Sequence, residues 1–123
     1  MGQALDVMQR WFENPRPELL ADTVEWHVPG YPVPQDTYHG PQAVFGEFFP
    51  ALTSHFAQWG AETEKLIEAS DGERVTVLGH YQGSTKAGAP ITVPFIHVWT
   101  VRDGRITHVV SGADTSRFAA ALS

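Results

Sequence analysis

The chain has no cysteine among its 123 residues, which rules out disulfide frameworks, zinc–thiolate sites and thiol nucleophiles. Basic residues are scarce: 8 Lys and Arg stand against 14 Asp and Glu, a net charge of −6. That balance argues against nonspecific binding to nucleic acid or an anionic membrane and fits a small-molecule or protein partner. No stretch is long and apolar enough to span a bilayer, and the N-terminus lacks the basic-then-apolar order of a signal peptide. No internal repeat, low-complexity segment or linker interrupts the sequence. No histidine pair has helical ligand spacing with a carboxylate nearby, so no metal site is expected. Together these absences describe one soluble, cytoplasmic domain over residues 1–123, large enough to bury a core unaided.

What the chain does have is concentrated between Ile91 and Asp114. Two arms rich in β-branched and aromatic residues flank Arg102-Asp103-Gly104-Arg105, and Asp-Gly between such arms signals a β-hairpin. A two-residue turn sets Trp99 opposite His108, His97 opposite Val110 and Val93 opposite Asp114. Alternation then puts Val93, Phe95, His97, Trp99, His108, Val110 and Asp114 on one face, which suits a pocket wall. A slip of one residue turns Asp114 to the other face.

The rest of the chain reads in order. Ala4 to Phe12 has helical spacing and stops at Asn14-Pro15. Pro17 to Asp22 reads as a short second helix with proline in its first turn. Thr23 to Val28 reads as a strand with Val24, Trp26 and Val28 on one side and Glu25 and His27 on the other. Pro29 to His39 is a stiff irregular loop carrying Tyr31. Gly40-Pro41 opens the main helix, whose apolar stripe of Val44, Phe45, Phe48, Phe49, Leu52 and Phe56 is kinked at Pro50. From Ala61 the pattern is β, with hairpin signals at Ser70-Asp71-Gly72-Glu73 and two glycines in the strand from Arg74 to Lys86 that mark curvature. A short helix containing Phe118 and Leu122 closes the chain. Helices followed by strands give an α+β fold. The arrangement is a cone: a curved antiparallel sheet around a long bent helix, with short N-terminal helices and an open end that suits a ligand.

This order of elements, with His39-Gly40-Pro41-Gln42-Ala43-Val44 opening the long helix, resembles the nuclear transport factor 2-like superfamily and its cystatin-like α+β cone. The phrase from His97 to Ile106, with the late Asp114-Thr115, resembles the SnoaL-like branch, related to polyketide cyclases and ketosteroid isomerases. The resemblance implies cofactor-independent acid/base chemistry of the isomerase or cyclase type on an apolar carbonyl or polycyclic substrate. It implies Asp114 as acid/base and His97 as a pocket histidine. The ketosteroid isomerase base has no counterpart in Glu25-Trp26-His27, where His27 is only a stand-in, and residues 3–13 contain no tyrosine. An epoxide-hydrolase-like reaction would need a buried arginine, and the arginines read as turn or terminal residues.

A carboxylate in an aromatic cavity rises in pKa toward a useful base, and a neutral imidazole can donate to a developing enolate oxygen. The expected site is therefore Asp114 and His97 for catalysis. Trp26, His27, Tyr31, Phe45, Phe49, Tyr81, Phe95 and Trp99 are expected around the substrate. Asp114-Thr115-Ser116 equally suits capping of the last helix, and the same cone serves a non-catalytic binder of apolar ligands. Ile96, Val98 and Thr100 make the outer sheet face apolar, which favours a homodimer.

Overall fold

The computed structural model describes residues 3–122 and has α+β architecture. Helix α1 (Gln3–Glu13) is followed by a 3-10 turn (Pro17–Leu19), strand β1 (Leu20–His27) and strand β2 (Thr37–His39). A bent helix α2 over residues 41–53 leads into β3 (Phe56–Glu68), β4 (Arg74–Thr85), β5 (Pro90–Arg102) and β6 (Arg105–Ala113), then α3 (Ser116–Leu122). The six strands form one sheet in the order β2-β1-β6-β5-β4-β3. No helix among the described residues is long and apolar enough to cross a membrane.

Strands β3 to β6 pair antiparallel as expected, whereas β1 joins β6 in parallel. The short helix expected over Pro17–Asp22 is realised only as the 3-10 turn Pro17–Leu19, and from Leu20 the chain is a strand. Leu20 already pairs with Ile106, and Leu19 and Leu20 are buried, so sheet pairing outweighs local helical preference. The loop before α2 also hides a short strand, with Tyr38 opposite Trp26 in an antiparallel pair. Phe56 belongs to the start of β3 and not to α2.

Helix α2 consists of an α turn (Pro41–Ala43), a π segment (Val44–Phe48) and a second α segment (Phe49–Thr53). Pro50 explains the π segment. Its ring would strike the carbonyl of Gly46 in a regular helix, and widening the turn lets Phe49 N–H donate to the Val44 carbonyl instead. The extra residue per turn spreads Phe45, Phe48 and Phe49 around the helix, and α2 lies against the concave side of the sheet.

The β5–β6 hairpin decides which side chains face that hollow. Asp103 (φ 53°) and Gly104 (φ 76°) both occupy the left-handed region, as a type I′ two-residue turn requires. Arg102 faces Arg105 and Val101 faces Ile106, but Thr100 then faces His108, which leaves Thr107 as a bulge. Beyond it His97 faces Ser111 and Trp99 faces Val109. The register expected from the turn alone therefore slips by one. His108 and Val110 lie on the outer face, and Val109 and Ser111 take their places inside.

Two glycines of β4 let β3 fold close over it. A Cβ on Gly79 would collide with the Glu62 carbonyl oxygen and come within 2.9 Å of the Phe95 ring, and one on Gly83 would strike the Gln58 carbonyl oxygen. Irregularities in the β3–β4 ladder fall between Phe56 and Gln58 and between Thr63 and Lys65, beside these contacts. Replacement Gly79→Ala should cost about 3 kcal/mol in urea unfolding. Gly60→Ala, whose Cβ meets nothing within 4 Å, should stay within about 0.5 kcal/mol.

Candidate functional site: an aromatic cavity

The concave face of the sheet and the helices enclose a cavity of about 240 Å3. Trp11, Phe12 and Pro15 close it from α1 and the following turn, and Phe48, Phe49 and Leu52 from α2. Trp26 of β1 and Trp59 and Ala61 of β3 line two sides, and Tyr81, His97, Trp99 and Ser111 line the sheet floor. All four tryptophans of the chain therefore lie on this one cavity. Trp11, Trp26 and Trp99 form a mutual cluster with ring centres 5.3–5.7 Å apart. Ala61 and Pro15 are exposed and Phe12, Phe49 and Trp59 half-buried, so these five residues mark the mouth.

A chain of uncharged polar groups runs into the floor. Tyr31 Oη lies 2.7 Å from Tyr81 Oη, which lies 2.8 Å from His97 Nε2. Ser111 stands beside both phenols. Phe95 stacks on the far side of His97 with ring centres 3.9 Å apart and 13° between planes. Burial dictates the protonation of each group, because desolvation disfavours the charged form. It drives the His97 imidazole down to about 3 and Tyr31 up to about 12, and raises Tyr81 well above the usual phenol range. The network is neutral at physiological pH.

Three buried polar atoms on this cavity's residues lack a hydrogen-bond partner: Nε1 of Trp26, Nε1 of Trp99 and Nδ1 of His97. An unmet buried donor costs about 1–3 kcal/mol. Trp26 and Trp99 meet at 90° with centres 5.3 Å apart, which suits a weak N–H···π contact for one of the pair and not for both.

Several expected site residues take other places. Trp26, Phe49, Tyr81, His97 and Trp99 line the cavity. Tyr31 acts one step back, through Tyr81. Phe95 supports His97 from behind, and Phe45 packs on Trp11 and Phe49, so neither is a lining residue. His27 is not in the cavity. Its alternation partner Trp26 turns inward, and His27 faces out with Nδ1 3.0 Å from Thr37 Oγ1 and Nε2 3.4 Å from Glu25.

Asp114 is the main correction. It lies on the surface, where its carboxylate accepts from Ser116 Oγ at 2.6 Å and from Arg117 Nε at 3.1 Å. The Ser116 bond, then Arg117, holds the carboxyl below its ordinary value, the opposite of the rise a cavity base needs. The Thr107 bulge and the end of β6 at Ala113 take it off the inner face, and its carboxylate bonds instead to the side chains of the first two residues of α3. Neither Trp59 nor Ser111 stood out as a site residue in the sequence. Trp59 sits where helix and strand patterns meet, and Ser111 turns inward only because of the bulge. Trp11 and Phe12 were visible as a helix stripe, with nothing to say that it ended on a cavity. Among the described residues no group of three His, Asp or Glu side chains is arranged to hold a metal ion.

Neutral burial of His97 has a consequence for stability. Its proton is bound by the unfolded chain below about 6.5 and by the folded one only below about 3. Between these values the unfolded state holds more protons, so stability is full above pH 6.5 and falls as pH drops toward 3. The loss should approach ~5 kcal/mol at ~1.4 kcal/mol per unit. Urea midpoints measured from pH 7 to pH 4 should fall more steeply for the natural chain than for His97→Leu.

Comparison with known proteins agrees with this architecture. The SnoaL-like domain family matches residues 9–109, and no curated protein matches the sequence. An NTF2-like protein of unknown function from Burkholderia pseudomallei K96243 has 25% identity over 100% of this chain and 99% of its own, with a TM-score of 0.83. TerC, co-crystallised with polyporic acid, has 23% identity over 98% of each chain and a TM-score of 0.83. A protein of ketosteroid isomerase-like fold from Catenulispora acidiphila DSM 44928, in complex with trimethylamine, has 18% identity over 95% of this chain and 92% of its own, with a TM-score of 0.81. With the family pattern running from α1 to β6 and the cone reproduced in full, the chain belongs to the SnoaL-like domain family.

Proposed function

We propose that this protein is a cofactor-independent pocket protein that binds a small apolar ring compound, and that binding is its function in preference to acid–base turnover. The observation that carries this reading is the chemistry of the lining. An aromatic cavity of about 240 Å3 has no carboxylate or cationic side chain among its thirteen lining residues. A general base works best with a pKa near the operating pH, and His97 at about 3 is far below it. The phenols lie too high to serve as acids. The isomerase or cyclase reading required Asp114 in the cavity, so it loses its base. An epoxide-hydrolase-like reading lacks a lining arginine. TerC was co-crystallised with polyporic acid and the Catenulispora acidiphila protein was complexed with trimethylamine, which supports ligand binding by this fold.

Because the tryptophans surround the cavity, their fluorescence reports its occupant directly. Titration with naphthalene should quench it with saturable, micromolar affinity. Ala61→Trp, a substitution at the exposed mouth, should weaken that affinity about tenfold or more with little change in melting temperature. Equal affinity in both proteins, or no saturable quenching in either, would sink the proposal. Asp114→Asn should bind as the natural chain does.

We also propose a homodimer through the outer face of the sheet, in a cytoplasmic protein. Ile96 and Val110 are 57% and 50% exposed there, and Val98 and Ile67 extend the patch. Apolar side chains grouped on one face mark an association surface. Sedimentation at micromolar concentration should give a dimer for the natural chain and a monomer for Ile96→Lys. A natural chain that sediments as a monomer removes this part of the reading.

A further inference from the structure

The outer face of the sheet carries charge of opposite sign at its two ends. Along β4 the outward-turned residues run Arg74, Thr76, Leu78, His80 and Gln82. His80 lies between two carboxylates of β3, with Nδ1 2.8 Å from Glu64 and Nε2 3.2 Å from Glu62. Arg74 stands at the other end of the strand, about 20 Å away at ~3.3 Å per residue. Arg102 and Arg105, partners at the β5–β6 turn, lie one step beyond it. The apolar stripe of Leu78, Ile96, Val98 and Val110 lies between the two ends.

A face with acid at one end, base at the other and an apolar middle is complementary to itself. A two-fold axis across the strands lays each acidic end over the partner's arginine end and makes every contact twice. The Glu62 and Glu64 side chains are 57% and 62% exposed above a His80 side chain that is 25% exposed, so they can reach across. They already have a partner of their own, however. Protonated His80 occupies both carboxylates within one chain. The bond to Glu64, with the field of Glu62 behind it, raises the imidazole above its ordinary pKa.

We propose that His80 is the pH sensor of the outer-face homodimer, because its proton and the partner's arginines compete for the same two carboxylates. The proposal rests on the dimer reading above and adds its regulation. Neutral His80 leaves Glu62 and Glu64 to the partner's Arg74 and the partner's Arg102. Protonated His80 withdraws them and sets a like charge against those guanidinium groups. The separated chain therefore holds the extra proton, and acid favours separation. Imidazoles change charge between about pH 5 and 8, so the dimer weakens as pH falls through that range. Lys65 of β3, opposite Leu78, also faces this end, while the residue of β5 opposite His80 is the uncharged Pro94. His27, His39 and His108 gather around Glu25 at the far edge of the same face, so the experiment has to separate them from His80.

The test is sedimentation of the full chain at pH 8 and pH 6 beside His80→Gln. Salt at about 0.15 M, with its ~8 Å screening length, suppresses the overall charge. The dimer dissociation constant of the natural chain should rise about tenfold or more on going to pH 6. His80→Gln keeps a hydrogen-bonding side chain that takes no charge. Its dimer at pH 8 should match the natural one within about threefold and change by about threefold or less at pH 6. Glu62→Gln combined with Glu64→Gln should already be weakened about tenfold at pH 8 and lose its pH dependence, which decides the matter independently if His80→Gln fails to fold.

A monomer at both pH values and micromolar concentration would take down the dimer reading itself. A dimer of equal strength at both, or one that tightens in acid, would leave that reading standing and overturn the sensor. Acid weakening that survives His80→Gln would assign the effect to the cluster around Glu25 and overturn the part given to His80.

Discussion

Thr107 has no opposite number on β5, and the interior of this protein depends on that one unpaired residue. Below the bulge the ladder follows the tight Asp103-Gly104 turn, and above it every side chain of β6 has changed sides. The hydroxyl of Thr107 lies 3.3 Å from the Thr100 carbonyl, which ties the extra residue back to the neighbouring strand. Without the bulge, His108 and Val110 would point into the hollow and Ser111 out of it. Because strand alternation has period two, one residue suffices to put Val109 in place of His108 and Ser111 in place of Val110 on the inner face.

The cavity that results is polar without being charged. Burial holds the imidazole and both phenols in their neutral forms, and their hydrogen bonds to one another satisfy most of what burial removes. Such a network rigidifies its surroundings when it is fully paired. Here the pairing stops short at Nδ1 of His97 and the two indoles. Around this floor the aromatic rings meet edge to face and tilted more often than stacked, as in the right-angle contact of Trp26 with Trp99. Edge-to-face pairs suit the ring quadrupoles and hold the walls apart. The same burial that keeps these groups neutral also fixes their place in the cavity floor.

Much of the fold was legible in the sequence, because alternation along β5 and the helical stripes of α1 and α2 are direct prints of the core. Odd-numbered residues from Ile91 to Val101 are buried in strict order. The turn at Asp103-Gly104 was legible too, since only certain residues accept positive φ at both positions. The bulge was not: nothing in Ile106-Thr107-His108 distinguishes a regular strand from an interrupted one. Asp114 was therefore misplaced, although His97 and Trp99, fixed by β5 alone, were not. Pro17-Glu18-Leu19-Leu20 looked helical in isolation, and only a partner distant in sequence, Ile106, shows why Leu20 is extended. Trp59 escaped notice because it sits at the seam between two periodicities.

The two glycines of β4 have a bearing on how the edge of the sheet assembles. Gly79 and Gly83 accept the close approach of Glu62 and Gln58 backbone, and the residues between and beside them, such as Tyr81 and Val77, cannot. Sliding β3 along β4 by one pair would drive its carbonyls into side chains instead of gaps. The glycines thus act as notches that a misaligned strand cannot enter, so the long outer strand proofreads its own alignment by steric rejection.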